Sequence, residues 1–326
     1  MIRLVTAELR RFSHRWLILA GLAILVLSQA LIFANVFSST APPSAAQVAN
    51  AQAQLDDINR LDAEYYGPDG QCMKEQEAAG PDADFGCDDQ GVALTIDDFL
   101  KHAATYADVA TPSMVFSAIT LLIAALIISI SFMTADLSSG AMSNWLTFEP
   151  RRMRVYSSKL TALLLALVAA GIVVVGSNLG IVYAIARYNG ALEANASTLA
   201  NDALKTGLRA LVLLVLFVLI GYGIATLARH AAIAMGAVLM WTVADLYATH
   251  AIRSGWRFAT TPRLYAWLNG KWEFEAYEVC TNFDAMNGCT PKLYHVYQGE
   301  SLIYLAVLAV VVAVAGAIVF QRRDAA

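Results

Sequence analysis

SMVFSAITLLIAALIISISFMT, residues 113–134, decides the fold class: it runs for 22 residues without one charged side chain. At 1.5 Å of rise per residue, about 20 apolar residues in a helix cross the ~30 Å hydrocarbon layer of a bilayer. The run is continuously apolar, whereas a barrel strand would alternate. Inside hydrocarbon a helix is the remaining way to satisfy every backbone N–H and C=O. One similar run precedes this stretch and four follow it. Six spans are therefore predicted, at about 16–37, 113–134, 160–186, 208–228, 231–252 and 302–320. Composition agrees, since 58% of the 326 residues are hydrophobic and 15% are charged, against ~25% charged in a soluble domain. The expected fold is all-α: a polytopic membrane protein forming one transmembrane domain over residues 1–326, with the lipid bilayer as its surroundings. No basic face of the kind that binds nucleic acid is present.

The Lys and Arg residues near span ends orient the chain. Arg3, Arg10, Arg11 and Arg15 precede the first span, and Arg151, Arg152, Arg154 and Lys159 lie between the second and third. Arg229 lies between the fourth and fifth, and Arg322 and Arg323 follow the sixth. An even number of spans places all of these on one side, so a multi-pass protein of the plasma membrane with both termini in the cytoplasm is expected. The first outer loop, 38–112, agrees, with fourteen Asp and Glu against Arg60, Lys74 and Lys101. Its acidity reads either as a solvated surface or as a cation site. The second outer loop, 253–300, holds Trp256, Trp267, Trp272, Tyr265, Tyr294 and Tyr297 among other aromatics. Such residues favour the membrane–water interface, so this segment is expected to dip into it, as an anchor or as a lid. Residues 1–15 place Ile2, Val5, Leu9, Phe12 and Trp16 on one helical face, with Arg and Glu on the others. That pattern predicts a helix lying in the inner interface. The apolar run behind it, about 22 residues, exceeds a signal-peptide core and is read as an uncleaved anchor.

All four cysteines, Cys72, Cys87, Cys280 and Cys289, fall in the two outer loops, where disulfides persist. Three connectivities are open. Short closures cost least entropy, which favours Cys72–Cys87 and Cys280–Cys289. A zinc site is the rival, but close Cys-x-x-Cys pairs are missing, so no metal is expected. Five scattered histidines form no HExxH, no GxSxG occurs, and Gly270-Lys271 is followed by Trp272, not by the Ser or Thr of a phosphate loop. The chain is read as no enzyme, with no cofactor of its own. Asp245 is the one acid set well inside an apolar run. At the centre of a helix it would cost about 2.5–3.5 kcal/mol. Either it lines a polar cavity and meets a cation or a proton, or it bonds to a neighbouring helix or to interfacial water.

The segment 135–159 carries the strongest functional signal. It contains DLSSGAMSNWLTFEPRR at 136–152, opened by Ser and closed by Pro150, a sensible start and stop for a short helix. Leu137, Met142, Trp145 and Phe148 fall mostly on one face. The plain reading is an interfacial helix beside a positive-inside cluster.

In these residues the chain resembles the permease subunits of ABC-2 type exporters, in their actinobacterial form. That family places an acid after the second span, then a Gly, a Leu, a Pro-Arg pair and a Lys. Asp136, Gly140, Leu146, Pro150, Arg151 and Lys159 fill those places, and the ending FQRRD at 320–324 is also similar. Ala141 departs from the usual Thr or Ser. The long first outer loop is unlike the short loops of polysaccharide exporters. The resemblance implies a type V, ABCG-like fold in which two permease copies, alike or different, each sit on a cytoplasmic ABC ATPase that binds ATP and Mg. Asp136, Gly140, Trp145, Leu146, Phe148, Glu149, Pro150 and Arg151 would form the coupling helix against that ATPase. Spans 2 and 5 would line the substrate path, making Met114, Phe116, Met240, Trp241 and Asp245 its candidate residues, with the segment before the sixth span as outer gate. The implied function is ATP-driven export of an amphipathic small molecule, drug or peptide. The alternative is a membrane subunit of an ABC-type signalling complex that moves no substrate.

Overall fold

Hydropathy reads the thickness of a membrane, not the length of a helix, and several spans continue well beyond their apolar cores. The computed structural model describes residues 2–13, 16–80, 84–87, 94–141, 151–251, 255–276 and 292–322. In chain order these form α1 (Ile2–Ser13), α2 (Trp16–Thr40), α3 (Ala45–Tyr66), α4 (Gln71–Ala79), α5 (Tyr106–Ser138), α6 (Arg152–Tyr188), α7 (Ala196–Ala228), α8 (Ala231–Ala251), α9 (Thr260–Asn269), β1 (Lys271–Ala276), β2 (Lys292–Tyr297) and α10 (Gln298–Arg322). Six of them, α2, α5, α6, α7, α8 and α10, are long and apolar enough to cross a membrane, so this is a membrane-embedded helical protein. At 33, 37 and 33 residues, α5, α6 and α7 are about 50–55 Å long, well past the ~30 Å layer. Their polar ends extend the spans into the flanking regions.

α5 is the central helix and packs against α2, α6, α7 and α8. It buries Met114, Leu121, Leu122, Ala125, Ile128 and Phe132 almost completely. α7 also crosses α10 with backbones touching. A Cβ added at Gly316 would lie 3.0 Å from Gly223 Cα, and one at Gly223 would lie 2.6 Å from the Val312 carbonyl oxygen. Lipid gives little hydrophobic drive for helices to associate, so such close small-residue crossings carry much of the packing. A polar knot does the rest between α2, α5 and α6. Ser117 Oγ donates to Gln29 Oε1 at 2.9 Å, Gln29 Nε2 to Thr120 Oγ1 at 3.3 Å, and Asn178 Nδ2 to Ser117 Oγ at 2.8 Å.

One end of the bundle carries the described ends of the chain, the C-terminus of α5 and the N-terminus of α6; the other carries the described parts of the two long connections. At this loop end, the first connection is largely helical. α3 starts in a capping box: Ser44 Oγ accepts from the Gln47 amide and Gln47 Oε1 accepts from the Ser44 amide. The connection returns to the bundle where the Ala104 amide donates to the Ser39 carbonyl at 2.8 Å and the Tyr106 amide to the Ala191 carbonyl at 2.9 Å. Cys72 and Cys87 are joined in a buried disulfide, the short closure expected from the spacing. Cys280 and Cys289 lie outside the described residues. Closing a 15-residue loop stabilises by about 3 kcal/mol in the chain-entropy picture. Cys72→Ser is therefore expected to raise proteolytic nicking within 71–87 roughly a hundredfold. Equal nicking of variant and wild type under non-reducing conditions would refute this.

The second connection holds α9 and the antiparallel pair β1–β2, in register from Lys271 opposite Tyr297 to Ala276 opposite Lys292. Lys271 Nζ donates to Glu273 Oε1 at 2.9 Å, and this bond holds the Glu273 carboxyl below the usual carboxylate range.

Candidate functional site

The ends of α5 and α6, which flank the segment 139–151, meet at one buried cation. Lys159 is 1% exposed. Its ammonium donates to Glu8 Oε2 of α1 at 2.7 Å and pairs with Asp136 Oδ2 of α5. It also lies 4.5 Å from the centroid of the Phe132 ring, whose negative face attracts a cation. Phe12 meets Phe132 edge-on at 5.7 Å between centroids. α1 and α5 each contribute an i, i+4 pair, Glu8 with Phe12 and Phe132 with Asp136, so one charged and one aromatic side chain project from the same face of each. Two carboxylates share one ammonium, and α1, α5 and α6 converge on it.

The neighbouring turns are cross-linked. Tyr222 Oη of α7 donates to the Tyr156 carbonyl at 3.0 Å. The Tyr156 ring lies 4.9 Å from that of Tyr222 and 5.2 Å from that of Phe320, so α6, α7 and α10 are joined beside the ion pairs. Beyond α5, Gly140 adopts φ 69°, a left-handed turn that glycine accepts without strain. Arg151 is exposed at the start of α6. Asp136, Gly140 and Arg151 thus lie at this end. Trp145, Leu146, Phe148, Glu149 and Pro150 lie outside the described residues. Glu8 went unnoticed in the sequence because it reads as part of the polar face of α1. The available signal was its position at the edge of the apolar stripe, three residues after Val5 and four before Phe12.

Of the five candidate path residues, the structure brings Trp241 and Asp245 together, both bonded to Thr260 of α9. Met114 is fully buried, with its sulfur 3.3 Å from where a Cβ on Gly207 of α7 would sit. Phe116, Met240 and Trp241 are exposed on α5 and α8. Asp245 is buried, and its carboxylate bonds to the neighbouring helix α9. Oδ1 accepts from the Thr260 amide and hydroxyl, and Oδ2 from the Thr261 amide at 2.9 Å and hydroxyl at 2.5 Å. Trp241 Nε1 adds a bond to Thr260 Oγ1 at 3.0 Å. At the other end of α9, Arg209 Nη1 donates to the Leu268 carbonyl at 3.0 Å, and Trp267 Nε1 to the Arg209 carbonyl at 2.9 Å. Ala266 and Leu268 are fully buried. Hence α9 is a short helix set among α7, α8 and α10, its terminal backbone groups satisfied by side chains of the long helices. Asp245 stands fourteen residues into α8, about 21 Å along its axis.

Among the described residues, no group of three or more His, Cys, Asp or Glu could hold a metal ion. Neither family models nor curated proteins nor solved structures match the chain.

Proposed function

We propose that the chain is the permease subunit of an ATP-driven, ABC-2 type exporter with a type V, ABCG-like arrangement. It sits in the plasma membrane with both termini in the cytoplasm and moves an amphipathic small molecule, drug or peptide. ATP and Mg are bound by separate cytoplasmic ATPase subunits, and a second permease copy completes the path. The observation that supports this reading best is the buried Glu8–Lys159–Asp136 cluster. A segment that receives force from a partner must have rigid roots, or its motion is lost in local bending. Here both roots of 139–151 and the interfacial helix α1 are locked on one ammonium. The lock ends on α5, which touches four of the other five long helices. A push on the segment would therefore reach the centre of the bundle.

The test is Trp145→Ala in the full chain, co-expressed with its cognate ATPase. Buried aromatic anchors commonly contribute ~2 kcal/mol or more to an interface, so the complex is expected to weaken about thirtyfold and stimulated ATPase activity to fall with it. Glu149→Gln, at an exposed rim, should cost only ~0–1 kcal/mol. Unchanged complex yield and stimulation in Trp145→Ala would defeat the coupling role. ATP-dependent uptake of a labelled compound into inverted vesicles separates export from signalling: intact ATPase stimulation with no transported compound favours the signalling subunit.

A further inference from the structure

A groove of about 550 Å3 runs along α10, lined by Glu300, Ile303, Tyr304, Val307, Leu308 and Val311. From Glu300 to Val311 is eleven residues, or about 16 Å along the helix. That is half of the ~30 Å hydrocarbon layer, the depth of one leaflet. Ile303, Val307 and Val311 are exposed and make its floor apolar over the whole length.

Its polar end is different. Arg263 of α9 lays its guanidinium over the Tyr304 ring, 4.3 Å from the centroid. Tyr304 is held in place by its Oη, which donates to the Phe258 carbonyl at 2.7 Å. Arg263 uses one Nη to bond the Arg257 carbonyl, while its Nε is buried and has no hydrogen-bond partner among the described residues. Glu300 stands one turn before Tyr304 on the same face. It is exposed and has no ion-pair partner among the described residues. Glu300 thus lines the start of an apolar slot one leaflet deep, and Arg263 adjoins that slot through the Tyr304 ring.

We propose that this groove binds a zwitterionic, amine-bearing phospholipid of the leaflet at the loop end. Its phosphate lies on the Arg263 guanidinium, whose planar donors suit phosphate oxygens. Its primary ammonium donates to the Glu300 carboxylate, and one acyl chain follows Ile303, Val307 and Val311. A choline headgroup has no N–H to give Glu300, and a glycerol headgroup brings no positive charge to it. This site is independent of whether the chain exports anything.

The experiment uses the full chain in detergent with phosphatidylethanolamine, phosphatidylcholine and phosphatidylglycerol of identical acyl chains at equal concentration. Bound lipid is counted by native mass spectrometry. Phosphatidylethanolamine is expected to be retained roughly tenfold better than phosphatidylcholine, as one charge-assisted hydrogen bond allows. Glu300→Gln, at an exposed position that leaves the fold intact, should bring the two to the same level. Arg263→Gln should lower retention of all three. Equal retention by the wild type, a preference for phosphatidylglycerol, or an ethanolamine preference that survives Glu300→Gln would each overturn the proposal. So would a groove that retains no lipid, as expected of a face covered by a second copy.

Discussion

Lys159→Met should lower the stability of the chain by about 3–5 kcal/mol, the usual cost of removing one partner from a buried ion pair. The substitution keeps much of the apolar stem but deletes the ammonium that Glu8 and Asp136 both meet. Both carboxylates were desolvated on the understanding of that charge: the side chains of Lys159, Glu8 and Asp136 are 1%, 3% and 6% exposed. Their mutual repulsion then drives α1 away from α5. The triple variant Glu8→Gln, Asp136→Asn, Lys159→Met should recover most of the loss, because replacing all members of a buried charge cluster is commonly neutral or better. Glu8→Gln alone should fall between, since Lys159 keeps Asp136. Thermal unfolding of the full chain in detergent gives the ranking, and protease release of residues 1–15 reports the detachment of α1. A triple variant no more stable than Lys159→Met would show that packing, not charge, holds this end together.

The spans were legible because each depends on a local property, an uncharged run of sufficient length. The lengths of α5, α6 and α7 were not, because residues such as Asp108, Arg152 and Asp202 extend a helix outside hydrocarbon without leaving a hydropathic trace. The same division holds at the sites. Asp136 and Lys159 could be picked out from their places around the 135–159 segment, yet nothing in the spacing said that they touch. Glu8 was the hidden third member, because one acid beside an apolar stripe looks like any solvated face until its partner, 151 residues away, is known. Gln29 and Asn178 were likewise silent: a single amide in an apolar run does not announce which helix completes it. α9 and the β1–β2 pair were visible only as aromatic density in 253–300. The placement of α9 comes from Arg209, Asp245 and Trp267 contacts that no periodicity encodes. Cys72–Cys87 was readable because loop-closure entropy depends on sequence separation alone.

Asp245→Ala should release α9 from α8 at a cost of about 4 kcal/mol. The first N–H groups of any helix lack internal partners. For α9 those of Thr260 and Thr261 are met by the two oxygens of one carboxylate. Side-chain hydroxyls can rotate to other acceptors, but backbone amides cannot. Each buried donor left without a partner costs about 1–3 kcal/mol, and the penalty is no smaller where lipid excludes water. The lost negative charge also removes a favourable interaction with the helix dipole. Asp245→Asn keeps an acceptor oxygen but not the charge, and should cost about half as much. Ala266, fully buried on α9, supplies the reporter. With Ala266→Cys in the full chain, maleimide labelling should be slow while Asp245 is present. It should quicken roughly a thousandfold with Asp245→Ala and by an intermediate factor with Asp245→Asn, as the local opening equilibrium shifts. The Trp241 bond to Thr260 remains in all three, so the difference reads the carboxylate alone. Labelling in Asp245→Ala as slow as in the parent would mean that Leu268, Trp267 and Arg209 hold α9 without it.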